Sequence, residues 1–335
     1  MKIKSKFLKV LLIVFTVLIV FFVTMAIIPP KTVIEDNPFI IEKGSRPLVA
    51  AHRGGKLLNP ENTFKAFNAA YEEYNVDILE LDTVLTKDNE LILIHNMTLN
   101  SCTDIEVLNN DDEKDYYVSD YTLEEIQKLN FGYNFKKNDE YLYRDVLDGV
   151  NDEDKSEVLK ENELRVVTVE ELFTRFSDTD LMFIVEIKDG DERGYLATDK
   201  LVSYIKEFNL EKRVVVGTFH PEIENKLLTD YPEIMRGAST SGAAKFVITQ
   251  MLGVNLFDNS DFTCLQIPTS YDLGIEFKLD KKSYVRRAHR RNISVQFWTI
   301  NDKDEMKHLI ELGADVIMTD APDLLIEVIN EMGLR

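Results

Sequence analysis

The sequence is short of cysteine, of positive charge and of long apolar runs, and each shortage narrows what the 335-residue chain can be. Two cysteines, Cys102 and Cys264, cannot build a disulfide scaffold, and they read as small apolar residues. Thirty-nine Lys and Arg against 59 Asp and Glu leave a formal charge of −20. A field of that sign repels a phosphate backbone, so nucleic acid is not an expected partner. An anionic substrate would have to be met by a local cation or a bound metal. Fourteen glycines and nine prolines are too few for a low-complexity or collagen-like chain. What remains is 44% hydrophobic and 29% charged, the composition of a folded globular protein with a sizeable core.

One long apolar run is present. Residues 10–28 carry no charge, and Thr16 and Thr24 are their only polar members. As a helix they would span about 28 Å, close to one hydrocarbon core. Lys2, Lys4, Lys6 and Lys9 precede the run, Pro29 and Pro30 end it, and none of the 59 acids lies in residues 1–30. A cleaved signal peptide usually has a shorter apolar stretch and a small-x-small site, and a buried soluble helix is rarely apolar on all sides. Residues 1–30 therefore read as an uncleaved, single-pass signal anchor in the cell membrane. The positive-inside rule puts the remainder outside. Residues 31–46 read as a short polar linker with an interfacial patch at Phe39, Ile40 and Ile41.

Beyond the linker, strand-like runs alternate with helical patterns. The strands are expected at 48–52, 78–85, 182–187, 213–218, 233–236, 263–267, 294–298 and 316–318. Helices are expected at 63–74, 195–208, 221–230, 243–252, 281–291, 303–312 and 321–332. Eight alternating units in about 290 residues fit a (β/α)₈ TIM barrel spanning 47–335. A further strand at 90–95 should pair with the second strand as a hairpin. An irregular acidic insertion, about 104–163, reads as a solvated excursion on the mouth face, with a specificity lid as the functional alternative.

The chemistry gathers at strand ends. In Ile78-Leu79-Glu80-Leu81-Asp82 the two acids share a face, which a barrel turns inward. Val185-Glu186-Ile187-Lys188 repeats the pattern on the next barrel strand. Inward carboxylates are costly without a cation, and an all-oxygen trio of Glu80, Asp82 and Glu186 suits one divalent metal, Mg²⁺ or Ca²⁺. Calcium is the first choice outside the cell. The alternative is that an acid simply pairs with Arg53 or Lys188. His52-Arg53-Gly54-Gly55 follows the first strand, and His95 ends the hairpin strand. Two histidines at one mouth can divide acid and base work, and the guanidinium fork of Arg53 suits phosphate oxygens. In Pro60-Glu61-Asn62-Thr63, Asn62 or Thr63 reads as a helix N-cap, and Glu61 as a partner for Arg53. Trp298, the only tryptophan, reads as an apolar wall for substrate or a barrel plug. His220 is expected near the rim, and His289 and His308 in solvent.

This set, together with Trp298-Thr299-Ile300-Asn301, Gly313-Ala314-Asp315 and Thr319-Asp320-Ala321-Pro322, resembles the glycerophosphodiester phosphodiesterase family over nearly all of residues 47–330. The resemblance implies a metal-dependent hydrolase that converts glycerophosphodiesters to glycerol 3-phosphate and an alcohol. It implies the metal on Glu80, Asp82 and Glu186, His52 and His95 as the acid–base pair, and Arg53 and Lys188 on the phosphate. It also implies attack by the neighbouring glycerol hydroxyl, giving a cyclic phosphate that water then opens. Lysophospholipase D action on membrane lysolipids, and a silent barrel that only binds a phosphorylated ligand, are the alternatives. Three positions depart from the family pattern: Asn96 where Asp is usual, Ser101 where Arg is usual, and Val167 where Pro is common.

Overall fold

A computed structural model describes residues 2–28, 30–272, 274 and 276–334. Eight parallel strands form the centre: β1 Leu48–Ala51, β2 Ile78–Leu85, β3 Met182–Ile187, β4 Val214–Thr218, β5 Met235–Arg236, β6 Cys264–Ile267, β7 Ser294–Phe297 and β8 Val316–Thr319. Their order is β5-β4-β3-β2-β1-β8-β7-β6. A bridge between Gly237 and Cys264 brings β5 beside β6 and closes the ring. Gly237 suits this seam, because a Cβ there would lie 2.2 Å from Oε1 of the inward-facing Gln266. The expected strands are present with ends shifted by at most two residues. The expected hairpin is present too, with Leu91–Leu93 antiparallel to β2.

Outward residues of the strands, such as Val49, Leu79, Leu81, Val185 and Ile317, meet the surrounding helices in one core. One of those helices, Val169–Phe176, was not expected from periodicity. Its sequence signal is a capping box, in which Thr168 accepts from the Glu171 amide and Glu171 reaches back to the Thr168 amide.

The barrel interior has a floor of its own, built from Ala50, Ile78, Ile184, Val215, Met235, Cys264, Val316 and Met318. Phe39 is fully buried in it. The reading of Phe39 as part of an interfacial patch is therefore corrected. Asn37 donates to the carbonyls of Thr263 and Asn292 at 2.9 and 3.0 Å, which swings Phe39 under the strand N-termini. The insertion is also more ordered than expected. It contains short helices at Ile105–Asn109, Leu123–Ile126 and Lys155–Glu161, and a small hairpin. Leu99, Ile105, Tyr116, Val118, Ile126 and Phe131 pack a second apolar cluster beneath its exposed acids. Both cysteines are buried and unpaired.

The N-terminal helix runs Lys2–Ile27. Its segment Lys6–Met25 has a mean hydropathy of 2.8, long and apolar enough to cross a membrane.

Phe39→Ala should cost about 3–5 kcal/mol of stability in denaturant unfolding. A loss below about 1 kcal/mol would place Phe39 outside the core.

Candidate active site

β1 ends at Ala51, one residue earlier than expected, and His52 opens a tight turn rather than closing the strand. Arg53 takes a left-handed backbone with φ 53°, and Gly54 follows at φ 81°. Glycine is required at 54, because a Cβ would meet that of Ala66 at 2.7 Å. The turn folds the chain back across the mouth, so the Arg53 amide donates to Oε2 of Glu80 at 2.9 Å. A left-handed non-glycine residue at this point is local strain, of the kind that clusters at functional sites.

Glu80 and Asp82 both project inward from β2, and parallel register sets Asp82 beside Glu186 on β3. Ligand oxygens of Glu80, Asp82 and Glu186 all lie within 4.8 Å of one another. Glu80 and Asp82 are almost completely buried. Two cations share this charge. Lys188 Nζ is 2.7 Å from Glu186 and 3.0 Å from Asp82, and Arg53 Nε is 3.2 Å from Asp82. Arg53 Nη1 also donates to both oxygens of Glu61, at 3.2 and 3.3 Å, the pairing expected for Glu61.

The cations do not serve the three acids equally. Burial, then repulsion from Asp82 and Glu186, pushes the Glu80 carboxyl well above the ordinary carboxylate range. Burial also raises Glu186. Burial alone would raise Asp82, but Lys188 and Arg53 outweigh it and hold its carboxyl low. A divalent cation fits this arrangement. The donors are hard oxygens, one acid lacks a full counter-charge, and the buried Oδ1 of Asn62, whose amide lies beside Asp82, has no hydrogen-bond partner.

The histidines flank the cluster. His52 Nε2 faces Glu80 at 3.9 Å, while Nδ1 lies 2.5 Å from Oδ1 of Asp320. Asp320 Oδ2 accepts from Asn301 at 2.8 Å, and Asn301 Oδ1 in turn accepts from the Asp320 amide at 2.9 Å and from Thr319. Burial would raise Asp320, but the hydrogen bond and charge of His52, then Asn301 and Lys56, hold it low. An ionised Asp320 accepts a hydrogen bond from Nδ1–H, which leaves Nε2 as the nitrogen that faces the cluster. The roles of Asp320 and Asn301 were not drawn from the sequence, although both stand at or just past barrel strand ends, where such residues read as catalytic.

His95 has a different support. Its Nδ1 lies 2.8 Å from Oδ1 of Asn96, and Asn96 Nδ2 donates to Ser101 at 2.9 Å. Two of the departures from the family pattern thus form one neutral hydrogen-bonded chain. Burial lowers the His95 pKa, and Lys188 and Arg53 lower it further against the pull of Asp82.

Trp298 follows β7, half-buried, and packs against the barrel floor cluster, so it fits the plug reading as well as a wall. Thr63, not Asn62, is the N-cap, accepting from Ala66. His220 lies beside Lys188, its Nε2 donating to the Lys188 carbonyl at 3.0 Å. His308 is exposed, as expected, and pairs with Asp280 at 2.9 Å, whereas His289 is half-buried and pairs with Asp315 at 2.7 Å.

Asp320→Asn should lower kcat by roughly 10²-fold or more with KM little changed, because the variant can hold His52 in the wrong tautomer. Steady-state kinetics at unchanged melting temperature checks this. An unaltered kcat would remove Asp320 as a positioning residue.

Comparisons with known proteins follow this geometry. The Glycerophosphoryl diester phosphodiesterase family matches residues 52–324. A glycerophosphodiester phosphodiesterase of Caldanaerobacter subterraneus is 28% identical over 286 residues, covering 85% of this chain and 99% of that one. A lysophospholipase D of Rattus norvegicus is 24% identical, covering 84% and 86%. The barrel also superposes, at 20% identity and TM-score 0.60, on an Oleispira antarctica phosphodiesterase solved with the product sn-glycerol-3-phosphate, covering 85% of this chain and 97% of that one. With the family match running from His52 past Asp320, over most of the chain, the chain belongs to the glycerophosphoryl diester phosphodiesterase family and is a phosphoric diester hydrolase.

Proposed function

We propose that this enzyme hydrolyses glycerophosphodiesters to glycerol 3-phosphate and an alcohol, with His52 and His95 as its acid–base pair. The observation that carries this reading is the placing of two differently supported histidines around one carboxylate cluster with Arg53 and Lys188. His52, backed by the Asp320 carboxylate, is the base. Its Nε2 takes the proton of the glycerol hydroxyl next to the phosphodiester. That oxygen attacks phosphorus, closes a cyclic phosphate and displaces the alcohol oxygen. His95, whose pKa is lowered and whose Asn96 support is neutral, gives its proton to that leaving oxygen. Water then opens the cycle with the two roles reversed.

Glu80, Asp82 and Glu186 would hold one divalent cation, Ca²⁺ or Mg²⁺, which when bound offsets charge on the phosphoryl oxygens. Arg53 and Lys188 orient those oxygens, Glu61 fixes the Arg53 fork, and Trp298 offers an apolar wall at the rim. Holding the glycerol hydroxyl in line makes the first step effectively intramolecular.

The helix Lys6–Met25 anchors the protein in the cell membrane with the barrel outside, a reading supported by the lysines at its leading end. Lysophospholipase D action is the second reading, favoured by the rat relative of that name.

The full-length chain in detergent should release glycerol 3-phosphate from glycerophosphocholine, glycerophosphoethanolamine or glycerophosphoglycerol with Ca²⁺ or Mg²⁺, and not with chelator. His52→Ala and His95→Ala should each lose roughly 10²–10⁴-fold. Full activity in either variant overturns the acid–base assignment. Asn96→Asp gives His95 a charged partner, which raises its pKa. The alkaline limb of kcat against pH should then move to higher pH, and an unmoved limb would show that His95 is not the acid.

A further inference from the structure

The barrel has two ends, and the chain leaves the N-terminal helix at only one of them. Arg290 donates to the carbonyl of Ile28 at 3.0 Å, and Arg291 to that of Lys31 at 3.2 Å. Val33 donates to the Arg291 carbonyl at 2.8 Å, and Asn292 donates to the carbonyls of Ile34 and Glu35 at 2.8 and 2.6 Å. Arg291 and Asn292 lie just before β7 begins, which is the floor end, opposite the carboxylates. With Phe39 seated in the floor, the segment from Lys31 to Phe39 is fastened to that end of the barrel.

The same end carries an exposed apolar patch. The helix Thr240–Met251 descends from the mouth and finishes at the floor, followed by the turn Asn255–Phe257. Ile248, Met251, Leu252 and Phe257 are each more than half exposed. The patch is continuous with the apolar helix, because the rings of Phe21 and Phe257 stack with centroids 6.4 Å apart and Gly253 backs onto Phe22.

Positive charge borders it. This chain has a net charge of −20, yet residues 281–291 hold six Lys and Arg and no acid. The helix Lys282–His289 packs beside the patch and also ends at the floor, with Arg286 and Arg287 in its last turn and Arg290 just beyond. Apolar side chains rimmed by arginines, joined to a membrane-length helix, match a bilayer with anionic headgroups. At the mouth, by contrast, Leu57, Met97 and Phe219 are exposed on three separate loops and Tyr271 on a small hairpin.

We propose that the floor of the barrel, through the end of the helix Thr240–Met251, the turn Asn255–Phe257 and the arginine end of the helix Lys282–His289, sits on the headgroup surface of the anchoring bilayer, so that the active-site mouth opens away from it. The inference rests on the anchor reading above and deepens it. A lysolipid in the same leaflet would have to leave the bilayer by the height of the barrel to reach Glu80. The substrates that meet this mouth are water-borne glycerophosphodiesters or glycerophosphate units of a polymer beyond the membrane.

The test uses the full chain reconstituted in phosphatidylcholine–phosphatidylglycerol vesicles, with a polarity-sensitive fluorophore on Leu18→Cys, Leu252→Cys or Phe219→Cys. Both native cysteines are buried. Lipid-borne nitroxide should quench most of the emission at positions 18 and 252 and leave position 219 unquenched. Met251→Cys and Tyr271→Cys should repeat the second and third results. Quenching at 219, or a water-like signal at 252 beside a quenched 18, overturns the orientation while the anchor stands. An unquenched label at 18 removes the anchor reading, and the proposal with it.

Discussion

Three carboxylates crowded within 4.8 Å at the mouth of a barrel set the terms for everything around them. Buried like charges repel, and two protein cations cannot neutralise three acids that face one another. Asp82 takes most of the benefit, from Lys188 and Arg53, and Glu80 is left with its carboxyl pushed high by burial and by its neighbours. An arrangement of this kind is costly as a structural feature and useful as an ion site. The turn at His52–Gly54 exists in its strained form because it brings a backbone amide onto Glu80 and a guanidinium onto Asp82 at once.

The histidines divide along the same electrostatic line. His52 has an anionic partner in Asp320, itself pinned by Asn301, and His95 has only the neutral pair of Asn96 and Ser101. Two imidazoles with the same intrinsic chemistry thereby sit in different electrostatic surroundings. The floor of the barrel has a separate task. It is apolar, closed by Phe39, and tied to the chain that leaves the N-terminal helix, so the end that carries the carboxylates and the end that meets this helix are built from different layers of the same strands.

Much of this was legible in the sequence because strand periodicity carries it. Glu80 and Asp82 are two residues apart, Glu186 and Lys188 likewise, and alternation alone sends each pair to one side. Parallel register then brings Asp82 to Glu186. The less legible parts depend on contacts between distant segments. Nothing near Phe39 announces that it fills a barrel floor, since the short apolar run of Phe39, Ile40 and Ile41 sits in a polar stretch that resembles a linker, and only the long-range bonds of Asn37 decide the matter. Asp320 stood within a recognised motif, but its partner His52 is 268 residues away. The acidic insertion hid its order because charge dominates its composition, while the apolar residues that pack it are spread thinly between the acids. The helix Val169–Phe176 was within reach, through its capping box.

The most direct test of the account is calorimetric titration of Ca²⁺ and Mg²⁺ into the metal-free chain. One ion should bind per chain, and Glu80→Gln should weaken it by about tenfold or more while leaving the melting temperature near that of the parent. No binding by the parent chain, or undiminished binding by the variant, would contradict the claim that the carboxylate cluster is the ion site around which the mouth is built.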